Sequence, residues 1–304
     1  MSAEKKLDKK TYVFKTVGEL DLKVDAYGVA DTVRPVLMWI HGGALMNGSR
    51  EDAPADQLSA YIEAGFTVIS IDYRLAPETK VDGIVEDLRD AWTWIQENGR
   101  SLLNIDPDRA GVVGHSAGGY LTLMSGFCVT PRPKALVAFY GYGDIVGPWM
   151  TKPDPFYCKE PRVSKEKAYS GVGGDLLVDP TDEEHRQGRA RFYLYCRQEG
   201  IWPNEVAGHD PESEPDVFVP WCPEKNVTGE YPPTLLLHGD KDTDVPYDLS
   251  VKMAKILEEA GVEHELITLS GGGHAFDLGE EGISKVEVAP VFEVAVDFFK
   301  EKLL

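Results

Sequence analysis

Apolar and polar residues alternate in two segments near the N-terminal end of the chain. Residues 11–17 and 20–27 follow this pattern with Gly18 and Glu19 between them, which predicts an antiparallel strand pair. Farther along, the alternation gives way to short apolar runs of the kind found in strands that are buried on both faces. These runs cover residues 36–40, 66–71, 110–113, 135–140 and 234–237.

Helical spacing of apolar residues separates several of these runs and predicts amphipathic helices. The repeating positions are Ile84, Leu88, Ala91, Trp92 and Ile95, then Leu249, Met253, Ile256 and Leu257, and finally Val288, Phe292, Ala295 and Phe299. Gly99 and Gly261 are expected to end the first two helices. This alternation predicts an α/β fold with a mostly parallel central sheet and helices on both faces.

Residues 144–231 do not follow this alternation of strand and helix patterns. They are rich in Pro, Trp, Tyr and acidic residues, and one helix is predicted from about Thr181, where Thr181 and Glu184 resemble a capping box. A long irregular stretch between two core strands is usually functional. We therefore expect a core of residues 1–143 and 232–304 with an inserted cap over a ligand site. A surface excursion without a catalytic role is the alternative.

Composition narrows the classes of partner. The 304 residues are 42% hydrophobic, which is enough for a large core, and 31 basic against 51 acidic residues give a net charge of −20. Such a charge argues against nucleic acid and anionic membranes as partners. With neither an apolar run of membrane-spanning length nor a signal-like N-terminus, we expect a cytoplasmic protein without a membrane span. A homodimer is an open alternative.

The four cysteines do not have the spacing of metal ligands, so we expect reduced thiols and no metal.

Residues 114–118 read Gly-His-Ser-Ala-Gly and carry the first chemical signal. The preceding run resembles the end of a buried strand, and a helix is expected to follow. A serine at such a corner is held in a strained turn that exposes its hydroxyl, and the next amides lie at a helix N-terminus that favours negative charge. Ser116 is therefore a candidate nucleophile for acyl transfer.

A serine hydroxyl needs a base and a third group that orients the base. Of the seven histidines, only His264 and His274 follow a plausible acid near the last parallel strands. His264 lies inside a strand-like run, where its side chain is committed to one sheet face. His274 follows three glycines just past that run, on a loop that can reach the strand ends. We predict that His274 is the base.

The acid is expected just past the strand that ends near His238. Asp240, Asp242 and Asp244 all qualify by position, and each could also be an ordinary loop residue. Asp242 fits the frequent Asp-x-x-Val-Pro arrangement best. Its carboxylate would hold the base in one tautomer and stabilise the imidazolium.

An oxyanion site is expected from backbone amides. Directly after the strand at 36–40 stand His41, Gly42, Gly43 and Ala44, and glycines let N–H groups approach a tetrahedral oxyanion. We predict an oxyanion hole from Gly42, Gly43, Ala44 and the amide of Ala117.

With these motifs together, the chain resembles the hormone-sensitive-lipase-like branch of the α/β-hydrolase carboxylesterases. The segment Asp-Tyr-Arg-Leu-Ala-Pro-Glu at 72–78 matches that branch without a change. The resemblance covers about residues 35–145 and 230–300. It implies that Asp72 and Arg74 anchor loops and that His41 organises its loop. Ala44 departs from the third glycine usual in the family, and residues 144–231 match no familiar cap.

The resemblance implies a carboxylic ester hydrolase that works through an acyl-enzyme, with a small-molecule ester as substrate and no cofactor. Two alternatives stay open: an amidase, peptidase or lactonase with the same triad, and a non-catalytic small-molecule receptor on this scaffold. Candidate residues of the substrate pocket are His115, Tyr142, Trp149, Phe156, Tyr157, Trp202 and Trp221.

Overall fold

The structure is a computed structural model that describes residues 7–180 and 182–304. Eight strands form one sheet. They are β1 (Lys9–Val17), β2 (Leu20–Tyr27), β3 (Arg34–Ile40), β4 (Thr67–Ile71), β5 (Ile105–His115), β6 (Ala135–Phe139), β7 (Thr234–Gly239) and β8 (His264–Leu269). Each predicted apolar run forms a strand.

The strand order across the sheet is β1-β2-β4-β3-β5-β6-β7-β8. β1 pairs antiparallel with β2, and β2 pairs antiparallel with β4. Every other pairing is parallel, so the carboxyl ends of six neighbouring strands lie at the same edge. Open α/β sheets bind ligands at this edge.

Nine α-helices occur in the described part of the chain. They are α1 (Ala55–Glu63), α2 (Val81–Leu103), α3 (Ala117–Cys128), α4 (Pro148–Thr151), α5 (Lys165–Tyr169), α6 (Glu183–Glu199), α7 (Trp202–Ala207), α8 (Tyr247–Glu259) and α9 (Ala289–Leu303). α2, α3 and α8 contribute to the hydrophobic cluster on one face of the sheet, and α1 and α9 to the cluster on the other. The predicted helices on both faces are confirmed.

The buried strand β3 shows how one sequence supplies both clusters. Val36, Met38 and Ile40 belong to one cluster, while Leu37 and Trp39 belong to the other. Successive side chains of a strand point to opposite faces, so a continuous apolar run is needed where both faces are covered.

Two expected helix ends are corrected. α2 does not stop at Gly99; it runs to Leu103, and Asn104 caps it in the left-handed conformation (φ 53°). A Cβ at residue 99 would lie 2.4 Å from Ile105 Cδ1, so the glycine allows close packing inside the helix.

The helix expected from about Thr181 begins later, at Glu183. Asp182 is its N-cap and accepts a hydrogen bond from the His185 amide. Thr181 itself lies outside the described residues.

Residues 144–231 contain α4 to α7 and several short 3₁₀ turns. They pack on the cluster that covers α2 and α3 through buried residues of α4, α6 and α7: Met150, Phe192, Trp202 and Val206. Among the described residues, two backbone hydrogen bonds join this segment to the rest of the chain: Leu75 N–H donates to the Leu177 carbonyl, and Glu224 N–H donates to the Gly143 carbonyl. This segment is therefore attached to the sheet mainly by side chains.

Candidate active site

Ser116 lies at the tight turn between β5 and α3. Its backbone has φ 55° and ψ −116°, a strained conformation for a residue with a side chain. A Cβ on Gly118 would lie 2.1 Å from the Ile40 carbonyl oxygen, and one on Gly114 would lie 2.3 Å from the Gly118 oxygen. The two glycines therefore let α3 approach the sheet closely enough to present Ser116 at the strand edge.

His274 and Asp242 complete a chain of hydrogen bonds with this serine. His274 Nε2 is 3.1 Å from Ser116 Oγ, and His274 Nδ1 is 2.7 Å from Asp242 Oδ2. The three side chains come from the loops after β5, β7 and β8, whose carboxyl ends share one edge. This arrangement allows the imidazole to take a proton from the hydroxyl.

Asp242 is fully buried and accepts several hydrogen bonds. Oδ1 accepts from the amides of Asp244 and Val245 at 2.8 and 2.9 Å, and Oδ2 also faces His238 Nε2 at 3.2 Å. Burial alone would raise the pKa of this carboxyl, but hydrogen bonds from His238 and His274 outweigh it and hold the pKa well below its usual range. The Asp242 carboxylate is therefore ionised and held in one position, as an orienting acid would have to be.

The same hydrogen bond shifts the pKa of His274 in the opposite direction. Burial lowers the pKa of the imidazole, but the Asp242 hydrogen bond and the charges of Asp244, Asp242 and Asp277 raise it above its ordinary value overall. The ring of Tyr140 packs edge-on at 4.7 Å between centroids. His274 is thus held by packing, and its carboxylate neighbours raise its pKa.

The loop after β3 lies against Ser116. A Cβ on Gly42 would come within 3.4 Å of the Ser116 Cβ, and one on Gly43 (φ 105°) would lie 2.1 Å from the Asn47 oxygen. Ala44 has φ 56°, a left-handed conformation that L-residues rarely adopt. Ala117, the first residue of α3, directly follows Ser116. Gly42, Gly43 and Ala44 therefore line the same cavity as Ser116, and Ala117 is adjacent to it in the chain.

Side chains from three regions hold this loop. Tyr73 donates its hydroxyl to the His41 oxygen at 3.0 Å, and Trp202 Nε1 donates to the Ala44 oxygen at 3.1 Å. Arg189 donates to the Met46 oxygen. Several neighbouring side chains thus hold the left-handed turn in place and offset its strain.

His41 is buried and stacks on Tyr73 with centroids 4.0 Å apart. Burial lowers its pKa to about 4, which keeps it neutral at ordinary pH. Its Nδ1 lies 2.8 Å from the Gly42 oxygen, so it acts on the loop and not on a substrate.

Asp72 and Arg74 form structural contacts and do not line the cavity described below. Asp72 accepts from the Lys23 amide at 2.9 Å and from Arg50, and burial raises its pKa to about 6. Arg74 binds both oxygens of Asp87 at 2.7 Å. These contacts fix the strand ends next to the loop after β3.

A cavity of about 500 Å³ opens on the Ser116 hydroxyl. Its wall contains the expected residues Gly42, Gly43, Ala44, His115 and His274, together with Trp39, Met46, Asn47, Gly48, Asp52, Tyr140, Arg186, Arg189, Ala190, Tyr193, Asp244, Ala275 and Leu278. Of the residues predicted for the substrate pocket, only His115 is in this wall.

His115 stacks on Phe139 with centroids 4.5 Å apart, and its Nε2 lies 2.9 Å from Asp277 Oδ2. Burial would raise the pKa of Asp277, but the charge of His115 and the Tyr140 hydroxyl hold it below its ordinary value. This buried pair supports the floor of the cavity.

The other aromatic residues predicted for the substrate pocket do not line this cavity. Tyr142 is buried and stacks on Tyr120, and Trp202 is buried under the loop after β3. Trp149 donates to the Asp144 oxygen, and Phe156 is 42% exposed. Trp221 packs edge-on against a neighbouring phenylalanine. These rings are absent from the cavity wall because they pack against α3, under the loop after β3, or near the outer surface of residues 144–231.

Tyr157 is also absent from that wall, but its hydroxyl donates to Asp244, a wall residue, at 2.8 Å.

A family comparison agrees with the geometry. The chain matches the family described as alpha/beta hydrolase fold over residues 37–278, which contain all three members of the hydrogen-bonded chain. The chain belongs to this family. The resemblance inferred from the serine, glycine-loop and 72–78 motifs is thereby confirmed.

Curated members related to the chain include fungal polyketide synthases. The chain is 30% identical to the non-reducing polyketide synthase Preu6 of Preussia isomera over 91% of its own length and 14% of the relative. It is 31% identical to non-reducing polyketide synthase ausA of Aspergillus calidoustus over 84% of its length and 12% of the relative. The chain therefore spans about one seventh or less of these proteins.

Solved structures share the alpha/beta hydrolase fold. A Staphylococcus aureus protein of unknown function has a TM-score of 0.74, 20% identity and coverage of 97% of this chain and 100% of the other. Thermogutta terrifontis esterase 2, phosphoramylated by tabun, has a TM-score of 0.67 and 19% identity, with 96% and 94% covered. At these identities the likeness establishes the fold.

Several residues of the cavity wall were missed from the sequence. Arg186, Arg189, Ala190 and Tyr193 follow the i, i+3, i+4, i+7 spacing of one helical face on α6. That spacing was the available signal, because a helix was already predicted there. Asp244 was considered only as a competitor for the orienting acid, yet it lies in the wall itself.

Within residues 7–180 and 182–304, no helix has the length and apolar character that crossing a membrane requires. The four cysteines are all free.

Proposed function

We propose that this protein is a serine hydrolase that cleaves a carboxylic ester through an acyl-enzyme. One observation carries the proposal: Ser116, His274 and Asp242 form an unbroken hydrogen-bond chain whose serine end opens on a cavity of about 500 Å³. A nucleophile, its base and an ionised orienter are the minimum set for this chemistry.

In the acylation step, Ser116 Oγ attacks the ester carbonyl carbon while its proton passes to His274 Nε2. The carbonyl π electrons move to the oxygen, which becomes an oxyanion. The imidazolium then donates the same proton to the leaving alkoxide oxygen as the C–O bond breaks. Asp242 stabilises the imidazolium without taking its proton.

In the deacylation step, water attacks the acyl carbon and gives its proton to His274. The Ser116 ester bond breaks, and the imidazolium returns the proton to Oγ. The oxyanion of both steps is assigned to the amides of Gly43, Ala44 and Ala117, with Gly42 shaping the approach. Such preorganised donors typically contribute about 10²- to 10³-fold each to the rate.

Residues 144–231 are proposed as a cap on a core of residues 1–143 and 232–304. Supporting this, Arg186, Arg189, Ala190 and Tyr193 of α6 line the same cavity as Ser116. A cap in this position would exclude water from the acyl-enzyme and select substrates by shape.

A substrate screen is needed to identify the acyl group that the enzyme prefers. The cavity wall carries Asp52, Arg186 and Asp244 beside apolar groups, so short neutral acyl esters are the first choice. Because non-reducing polyketide synthases are among the relatives, the screen should also include polyketide esters. Matched ester, amide and lactone substrates separate the esterase from its amidase, peptidase and lactonase alternatives.

The direct test is covalent labelling of Ser116 with a fluorophosphonate, followed by mass spectrometry of the labelled peptide. We expect labelling of the native enzyme and none of Ser116→Ala. If the folded native protein does not label at Ser116, the hydrolase proposal fails and the receptor alternative is favoured.

A further inference from the structure

His274 Nε2 faces two side-chain oxygens. Ser116 Oγ is 3.1 Å away, and Asp244 Oδ2 is 3.5 Å away. The other ring nitrogen is already committed to Asp242 at 2.7 Å. The imidazole therefore lies between two carboxylates, and the serine shares its side of the ring with one of them.

The second oxygen of Asp244 is held by three donors. Oδ1 accepts from the hydroxyls of Tyr157 and Tyr193 at 2.8 and 2.6 Å and from Arg197 Nη1 at 2.7 Å. All three donors belong to residues 144–231, whereas Asp244 belongs to the loop after β7. The contact thus joins the proposed cap to the catalytic loop at the atom next to the base.

Arg197 explains how this carboxylate is kept in place. Its side chain is fully buried, pairs also with Asp154 at 2.5 Å, and lies 4.7 Å from the centre of the Tyr157 ring. A buried guanidinium with two carboxylate partners and aromatic faces is held in one geometry. Oδ1 is consequently fixed, and Oδ2 is directed toward His274.

A carboxylate at this distance stabilises the charged imidazole and offers its Nε2–H an acceptor other than the serine oxygen. The donors on Oδ1 draw part of the carboxylate charge away from Oδ2, which limits the effect. Removing the carboxylate and removing a donor should therefore act in opposite directions.

We propose that Asp244 is a positioning residue that sets the proton balance of His274, and that Tyr157, Tyr193 and Arg197 of the cap tune it. This inference rests on the proposed function, because it assigns His274 as the base. It adds that the cap acts on the chemistry as well as on the shape of the cavity.

The other groups around His274 are common to every variant below. Asp242 and Ser116 contact the ring nitrogens, the Tyr140 ring packs on its edge, and Asp277 adds a more distant negative charge. Each of them keeps its charge and position when Asp244 alone is changed. A difference between variants therefore reports on Asp244 and the donors that hold it.

The test is the pH profile of kcat/KM for a short p-nitrophenyl ester. The base must be neutral, so activity rises with pH through the kinetic pKa of His274. Asp244→Asn should lower this kinetic pKa by about 0.5 to 1 unit, because a nearby negative charge is lost. The matched control is Asp240→Asn on the same loop, whose Oδ1 accepts from the Gly271 amide; its shift should stay below about 0.2 unit.

A second variant is expected to shift the kinetic pKa of His274 in the opposite direction. Tyr193→Phe removes a donor from Oδ1 and should raise the kinetic pKa by less than the Asp244→Asn shift. In the Asp244→Asn background, Tyr193→Phe should leave the kinetic pKa unchanged. A purely structural role would lower the Tm of both variants without moving the kinetic pKa, and that result would overturn the inference.

NMR titration of the His274 ring measures the same shifts without turnover. If native protein labels with fluorophosphonate but Asp244→Asn leaves the His274 pKa unchanged, this inference fails and the proposed function stands. If labelling fails while the ring pKa shifts as expected, the proposed function fails and the coupling of Asp244 to His274 is retained.

Discussion

Backbone geometry positions Ser116 at the edge of the sheet. In residues 144–231, ion pairs position the arginine side chains near the candidate site. Ser116 is fixed by a strained turn between two glycines that contact backbone atoms. Arg189 and Arg197 are fixed by Glu78, Asp154 and Asp244. The proposed nucleophile thus depends on backbone geometry, whereas the proposed cap depends on side-chain contacts that other residues could replace. The first should tolerate almost no change, and the second should tolerate graded change.

The largest expected effect lies in the core. Ser116→Ala should lower kcat/KM for p-nitrophenyl acetate by a factor of about 10⁴ to 10⁶. Its Tm should stay within a few degrees of the native value, because the side chain contributes little packing. Steady-state assays and calorimetry measure the two quantities; retained activity would move the nucleophile elsewhere.

The acid is tested next. Asp242→Asn keeps the shape of the side chain but favours the wrong tautomer of His274, so kcat should fall by about 10³- to 10⁴-fold. Asp240→Asn, on the same loop, should change kcat by less than threefold. Should Asp240→Asn prove the more damaging, the orienting acid has been misassigned.

An intermediate loss of stability is expected where residues 144–231 contact the loop after β3. Arg189 is fully buried, pairs with Glu78, and donates to the loop after β3. Arg189→Met should lower the free energy of unfolding by about 3 to 5 kcal/mol, since Glu78 is left buried and unpaired. Urea denaturation measures this loss. The exposed neighbour on α6, Gln187→Met, should cost under 0.5 kcal/mol; equal losses would contradict the assigned role.

The core strands could be predicted because each is buried on both faces and so reads as an apolar run. Ser116 and His274 could be predicted because strand-to-helix and strand-to-loop positions are visible as glycine patterns. The aromatic pocket residues could not, since residue type does not tell which face of an irregular segment looks inward. Trp202 illustrates this: its ring is buried beneath the loop after β3, while the wall is formed by one face of α6.

The smallest expected effect concerns Ala44, the position at which the loop departs from the usual third glycine. Ala44→Gly relieves a left-handed strain of about 1 to 2 kcal/mol but adds freedom to the unfolded chain, so the free energy of unfolding should change by about 1 kcal/mol or less. Esters with larger acyl groups should gain up to about threefold in kcat/KM relative to acetate. This gain is expected because Ala44 lines the cavity, where removing its methyl makes room for the acyl group. A selective loss for large acyl groups would contradict this steric effect.

The hydrogen bond between Ser116 and His274 joins residues 158 positions apart. At a synthesis rate of about 5 to 20 residues per second, Ser116 is added to the growing chain about 8 to 30 seconds before His274. During that interval the turn can form, but His274 is not yet part of the chain. If His274 is the base, as proposed, hydrolysis cannot begin until β7 and β8 have joined the sheet and brought His274 to Ser116. The order of the residues along the chain would then delay hydrolysis until the fold is nearly complete.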